Sequence, residues 1–572
     1  MLNFSHNQHI PITWKQFERY WYLASLGMIM GSLSYSKVGV SIGEMMLAGG
    51  WIVERFNVVK LFAILSTRTS REKILLFLPV SVFLMIEGIV GGFKQFIRNK
   101  PAMVFSSIFL LHILGLIVTT DFDYAFKDLR TKLPLLLLPL FLATSETIGK
   151  RAFYDLMLFF ILSVLVRSGF NTWLIETNRF IDIRDVSHNI SHVVFSLLLT
   201  LCIYSLAYFS LKKNIFRLWQ RLIFFFGLCW FAFYILRSQS FTGFSITLIT
   251  FMIVLPAMIL KTRNRWLKAG MLVVVLLITG SVFFSLKSFI TDYYKVNPVD
   301  FTKLEKMTSR GNPYIHNPYS SQTENGNYLW IYIQWDELRS TWNNRSKIPF
   351  DSLNRKNEPI AYTVVRYLSS KGMRKDADAV EKLQPIEIDA IEKGVANYVF
   401  IKEYSIRGRI YEFLWGFDNY RETGNPTGST VMQRLEFWKA SVGIIKDYWL
   451  TGVGTGDMNI AFSYQYEKMK TRLSPDQRWR SHNQFLSIFI GFGIFGLLWF
   501  LVALFYPLFM LKRQKDFFPV VFLIIVTLSM LTEDTIESQT GVTLVAFFYS
   551  FFLFARKGKD PFIFKSKSNT DG

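Results

Sequence analysis

The segment Arg478-Trp479-Arg480-Ser481-His482-Asn483-Gln484 joins a long polar stretch to the apolar run Phe485 to Met510. An imidazole beside two guanidinium groups at such a boundary suits acid–base and phosphate chemistry at a membrane surface. Histidine exchanges a proton near neutral pH, and arginine pairs with phosphate oxygens through parallel N–H donors. The competing reading is a polar residue that anchors a helix end among lipid headgroups. The other histidines offer less. His6, His9 and His316 stand in polar segments without an evident partner, and His112 lies in an apolar block where a packed core residue is expected.

Three further groups carry possible chemistry. Gln433-Arg434-Leu435-Glu436-Phe437-Trp438 opens a helix-period run, and Gly452-Val453-Gly454-Thr455-Gly456 follows it. That glycine stretch lacks the spacing of a dinucleotide loop and follows a helix rather than a strand, so a glycine-rich turn is the simpler reading. Arg434 taken alone is a solvated helix residue. Arg184 and Arg237 stand at ends of apolar blocks, where arginine can also snorkel to the interface. Asp457, Asp476 and Glu467 are alternative bases, although scattered carboxylates of a polar loop are usually solvated. Cys202 and Cys229 lie in apolar blocks and form neither a disulfide framework nor a zinc spacing.

The elements that must position these residues are membrane helices. The chain is 51% hydrophobic and 17% aromatic, with mean hydropathy +0.27, and its apolar residues fall in blocks matching the roughly 20 residues that span a bilayer as helix. The expected class is an all-α polytopic membrane protein of about twelve spans, near 19–35, 38–53, 101–119, 132–147, 152–168, 191–210, 219–236, 242–260, 267–287, 484–510, 517–533 and 540–556. The first 18 residues lack the pattern of a cleaved signal peptide and are expected to be a retained cytoplasmic start. The net charge of +22 is concentrated in short loops, such as Lys212/Lys213/Arg217/Arg221 and Lys512/Arg513/Lys515. It therefore reads as a topology signal and as affinity for anionic lipids or substrates, not as nucleic-acid binding.

Nine spans then make up an N-terminal membrane domain, 1–287. A mainly helical periplasmic loop domain, 288–481, separates it from C-terminal membrane helices, 482–556, and a basic cytoplasmic tail, 557–572. The block 74–93 has basic flanks on both sides and contains Glu87, Gly88, Gly91 and Gly92. It is expected to be interfacial or re-entrant, with a thirteenth span as the alternative.

The order Arg434-x-x-x-Trp438, then GVGTG, then His482-Asn483 leading into Gly491-x-Gly493-x-x-Gly496 resembles the O-antigen ligase family of bacterial envelope enzymes. Thr119-Thr120-Asp121-Phe122-Asp123-Tyr124-Ala125 with Lys132-Leu133-Pro134, and Arg184 to His192, resemble a branch found in Bacteroidetes. The resemblance implies a twelve-span inner-membrane glycosyltransferase with its active site on the periplasmic face. It would move a glycan from undecaprenyl diphosphate to an acceptor sugar, typically on lipid A core. The family positions that match are His482 and Arg434, with Arg184 less firmly placed. Where the family often has Ser-Arg-x-Gly, this chain has Arg237-Ser238-Gln239-Ser240, so Arg237 is shifted.

For that reaction the departing diphosphate gathers negative charge, which many glycosyltransferases meet with a divalent metal. No metal or cofactor is expected here, because arginine forks can serve instead. That role falls to Arg434, Arg184 and Arg237, with Arg478 and Arg480 as further diphosphate ligands or as contacts to headgroups. His482, kept neutral by neighbouring arginines, is expected to be the general base of an inverting transfer, or else to hydrogen-bond the diphosphate. The alternatives are a polymerase of the same superfamily, an oligosaccharyltransferase acting on protein, and a transporter or flippase for polyprenyl-linked glycans. A transporter would be expected to show internal repeats, and none is evident.

Overall fold

The computed structural model describes residues 14–177, 186, 190–238, 240–261, 265–401 and 406–562. The described residues are mostly helical, 72%. Among the described residues the only sheet is a hairpin of Thr323–Glu324 against Asn327–Tyr328, turned at Asn325-Gly326 with positive φ at both residues.

Eight helices among the described residues are long and apolar enough to cross a membrane: Ser70–Arg98, Lys100–Val118, Lys150–Glu176, His192–Leu211, Leu218–Arg237, Phe241–Ile259, Lys268–Tyr294 and Gln484–Met510. Two shorter apolar helices, Phe517–Met530 and Gln539–Leu553, complete the apolar set. The multi-pass membrane class follows from these lengths, since backbone N–H and C=O groups in lipid must be satisfied within the segment. The expected spans 19–35 and 38–53 correspond to Trp14–Ser32 and Lys37–Arg55, which are helical but outside that set of eight.

Two segments differ from a simple span. The stretch 132–147 is divided: an amphipathic helix, Phe122–Lys132, ends at its basic residues, and Pro134 opens a separate helix, Pro134–Thr144. Proline has no N–H to continue the first helix and is well suited to start the second. The block 74–93 lies inside one continuous 29-residue helix, Ser70–Arg98, started by a Thr69/Glu72 capping box. No chain reversal of the kind a re-entrant segment needs occurs within it.

The chain forms two compact units, Met1–Met271 with Arg434–Gly572, and Leu272–Gln433. In the first, His192–Leu211 is the most enclosed of the eight long helices, and it packs against Leu218–Arg237, Phe241–Lys261 and Phe517–Met530. The second unit has its own core, built from Leu338, Trp342, Phe350, Val364 and Tyr367. There the buried Lys375 donates to the carbonyls of Tyr328 (2.9 Å) and Ile331 (3.0 Å), and burial pulls its pKa down to about 8. Within the segment 288–481, the residues from Arg434 onward pack with the membrane helices.

Candidate functional site

Asn483 opens the Gln484–Met510 helix as its cap, its side-chain oxygen accepting from the N–H groups of Phe485 (3.0 Å) and Leu486 (3.1 Å). Two turns later the helix breaks at Gly493, whose φ of 66° and ψ of −169° are not helical. The chain around GVGTG fills this break. Val453 N–H donates to the Ile490 carbonyl (2.8 Å), Gly454 N–H to Gly491 (2.9 Å), and Ile494 N–H to Trp449 (2.9 Å). Side chains would block this approach, because a Cβ at Gly493 would stand 2.1 Å from the Leu450 carbonyl oxygen.

The same bonds answer the phosphate-loop question. The N–H groups of Gly452, Val453, Gly454, Thr455 and Gly456 all donate to protein acceptors, leaving none of the five to cradle a phosphate. Asp457 is equally committed, accepting from the N–H groups of Thr120 and Asp121 and from the Thr120 hydroxyl. The motif is a clip holding 112–121 against the broken helix.

His482 sits just ahead of the Asn483 cap with φ of 46°, in the left-handed region that a side chain other than glycine's occupies at a cost. The loop 531–538 holds it there. Asp534 accepts from His482 N–H (3.2 Å), the Ser481 hydroxyl (3.2 Å) and the Ser487 hydroxyl (2.8 Å). Burial and the neighbouring Glu537 charge push the Asp534 carboxyl above its ordinary pKa. Asn483 donates to the Leu531 carbonyl (2.9 Å), and Gln484 accepts from Ile536 N–H (2.9 Å).

The Thr430–Tyr448 helix supplies the opposing wall. Arg434, Phe437 and Trp438, three and four residues apart, share one helix face. Phe437 stacks on the His482 ring with centroids 5.6 Å apart, and the Trp438 indole donates to the Ser481 carbonyl (3.0 Å). Arg434 and His482 meet on one carboxylate: one Glu533 oxygen accepts from the Arg434 guanidinium, and the other lies 3.3 Å from His482 Nδ1. A carboxylate accepts, so Nδ1 carries the proton in this contact, and in the neutral ring Nε2 would then present its lone pair. The His482 side chain is 33% exposed.

Behind this group lies a second one. Glu537 accepts from Lys132 (2.8 Å), Arg480 (3.4 Å) and Gln484 (3.0 Å), while Lys132, 1% exposed, also binds Asp128. Glu537, Lys132, Arg480 and Asp128 line, with His112 and Ser487, a cavity of about 20 Å³, room for about one water. Burial alone would raise the Glu537 pKa, but the Lys132 and Arg480 charges overcome it and hold it at about 2. Asp128 has Lys132 as its cationic partner here, and burial pushes it up to about 6. Among the described residues no group of three or more His, Cys, Asp or Glu side chains is arranged to hold a metal ion.

The other expected site residues are distributed as follows. Arg480 also donates to Asn459 (3.0 Å) and lies over the Tyr124 ring. Arg478 donates to the Leu473 carbonyl (3.3 Å). Arg237 reaches Glu176 (2.9 Å) at the end of the Lys150–Glu176 helix. Arg184 lies outside the described residues. His112 is buried and bonded to the Ile108 carbonyl through Nδ1 (2.8 Å). His316 has backbone partners, the Glu305 carbonyl and Tyr332 N–H.

Residues 394–501 match a family model described as O-Antigen ligase. This matched segment is similar to the O-antigen ligase family, and it is a minor part of the chain. No curated protein matches it. Members of the family are membrane enzymes, ligases or polymerases, that act on lipid-linked glycans. The O-antigen ligase domain contains Arg434, the GVGTG clip, His482 and the helix break, whereas Glu533, Asp534, Glu537 and Lys132 come from outside it. Sequence reasoning missed those four. The available signal was Thr532-Glu533-Asp534-Thr535-Ile536-Glu537, three acids with no basic residue among them between two apolar blocks.

Proposed function

We propose that the protein is an O-antigen-ligase-like glycosyltransferase, moving a glycan from undecaprenyl diphosphate to a sugar of a lipid acceptor such as lipid A core. By the positive-inside rule the reaction belongs on the periplasmic face of the inner membrane. The observation that carries the reading is the shared carboxylate of Glu533, which joins Arg434 to His482. His482 Nε2 takes the proton of the acceptor hydroxyl as that oxygen attacks the anomeric carbon. The bond from that carbon to the diphosphate breaks on the opposite side, its electron pair leaves with the diphosphate, and the configuration inverts. Glu533 fixes the tautomer and pairs the imidazolium as it forms, an arrangement familiar from histidine–carboxylate pairs. Arg434 and Arg480 meet the charge that develops on the leaving group without requiring a metal. Arg184, Arg237 and Arg478 are secondary candidates for that task.

Transfer should fall about 10²- to 10⁴-fold in His482→Ala, and markedly in Arg434→Ala, with both variants verified as folded in membranes. Wild-type transfer by both would overturn the site. Deleting the gene separates the related reactions. Full-length glycan left on the polyprenyl carrier indicates a ligase, single repeat units a polymerase, and glycan stranded on the cytoplasmic face a flippase.

A further inference from the structure

Glu533 serves two partners with one charge. Its contact to His482 Nδ1, 3.3 Å, exceeds the roughly 2.7–3.2 Å of a well-made N–H···O bond. Its other oxygen is taken by Arg434, whose side chain is 26% exposed and open to a competing anion. While Arg434 neutralises this carboxylate, little of its charge remains to stabilise an imidazolium. A diphosphate is the stronger partner for a guanidinium, with more charge and oxygens spaced for a bidentate pair.

We infer that the diphosphate of the donor takes Arg434 away from Glu533, and that the released carboxylate then closes on His482, so that donor binding completes the base. This rests on the reading of Arg434 as a diphosphate ligand and His482 as the proton acceptor. In the free protein the Arg434–Glu533 pair is a resting lock. With donor bound, Arg434 faces the diphosphate and the undivided Glu533 charge faces Nδ1 as Nε2 receives the acceptor's proton. The other charged groups about the turn stay fixed: Asp534 remains on the His482 backbone N–H, and Arg480 remains with Glu537 and Asn459. After transfer, undecaprenyl diphosphate departs, Arg434 returns to Glu533, and His482 gives its proton to water. The consequence is order. An acceptor hydroxyl or a water that arrives before the donor finds an incomplete base, which protects against futile proton transfer. Glu533 is thus a positioning residue acting through two others.

The test uses the full-length protein in lipid nanodiscs with undecaprenyl diphosphate as the binding probe. Glu533→Gln frees Arg434 without supplying the carboxylate, so the probe should bind about tenfold more tightly while the transfer rate at saturating donor falls about a hundredfold. A merely structural role would lower both together. Glu533→Ala carries the same expectation and stands in if the glutamine variant fails to fold. In an Arg434→Gln background the tightening caused by Glu533→Gln should vanish, which separates release of Arg434 from general removal of a negative charge. Weaker or unchanged probe binding in both Glu533 variants, or tightening that persists without Arg434, would overturn the switch alone. Wild-type transfer by His482→Ala would instead overturn the underlying reading of the base.

Discussion

One helix, Gln484–Met510, has an ionic cluster at each end, and the two are built to opposite specifications. Beyond its C-terminal end Arg513, Asp516, Arg556 and Asp560 are all buried, none more than 9% exposed. All four carboxylate oxygens there are used. Asp516 accepts from Arg556, Arg513 and the Asp560 N–H, and Asp560 accepts from Tyr154, Tyr208 and Arg556. At the N-terminal end His482 is held in a left-handed turn, a third of its ring is exposed, and Glu533 divides itself between two partners. A saturated cluster fixes loops. An incompletely paired one, mounted on a strained turn that its surroundings hold in place, is arranged to exchange partners.

That contrast can be broken most forcefully at the saturated end. Arg556→Ala removes the guanidinium that two buried carboxylates share, leaving Asp516 with Arg513 and Asp560 with Tyr154 and Tyr208, and should cost about 3–5 kcal/mol, read as a large drop in thermal unfolding temperature in detergent. A drop no larger than that of an exposed arginine variant would remove the distinction between the clusters. Next, Asp534→Ala leaves the His482 N–H without its acceptor, while Ser481 and Ser487 keep each other and the Asn483 carbonyl. It should cost about 1–3 kcal/mol in the same assay and lower transfer with it. The strain at the open end is measured by comparing two variants at one position: His482→Gly should be more stable than His482→Ala by about 1 kcal/mol, although both lose activity. Equal stability would mean that the turn stores no strain.

The smallest effect concerns Asp128. Its pKa in the fold, about 6, lies above the ordinary 3.8, so the native state binds its proton more tightly than the unfolded chain does. Stability should therefore fall as pH rises from about 4 through about 6. Asp128→Asn should flatten this part of the pH profile, measured by thermal unfolding. Glu537 has the opposite sign: with its pKa lowered from 4.5 to about 2, its contribution is fully present above about pH 4.5 and is lost as pH falls from there through about 2. A profile that declines from about pH 4 to about 6 as steeply in Asp128→Asn as in the wild type would place the titrating group elsewhere.

Part of the site is legible in the chain because its residues are near one another in sequence. Arg434, Phe437 and Trp438 share a helix face by spacing alone, and His482 announces itself at a polar–apolar boundary. The glycines of GVGTG and Gly493 signal a close approach of backbones without saying to what. The acidic loop is harder to read. Its partners are 99 residues away for Arg434 and 51 for His482, and three acids between apolar blocks look the same in sequence whether solvated or paired. Lys132 ends an amphipathic helix, a position where a basic residue is ordinary, yet it is 1% exposed and binds a glutamate 405 residues later. Within 288–481, the allegiance of residues 434–481 to the membrane helices is likewise invisible to local periodicity.

The sequence by itself determined that this is a many-helix membrane protein, since apolar blocks of bilayer length leave the backbone no other way to satisfy its hydrogen bonds in lipid. It also carried the ordered motifs by which the chain resembles the O-antigen ligase family. Only the tertiary structure decided that Arg434 and His482 meet, that they meet on Glu533, and that the glycine-rich motif is a clip rather than a cradle. Helix periodicity governs neighbours three and four residues apart. Which charge faces which across the bundle is settled by how the helices pack and by the requirement that buried polar groups find partners.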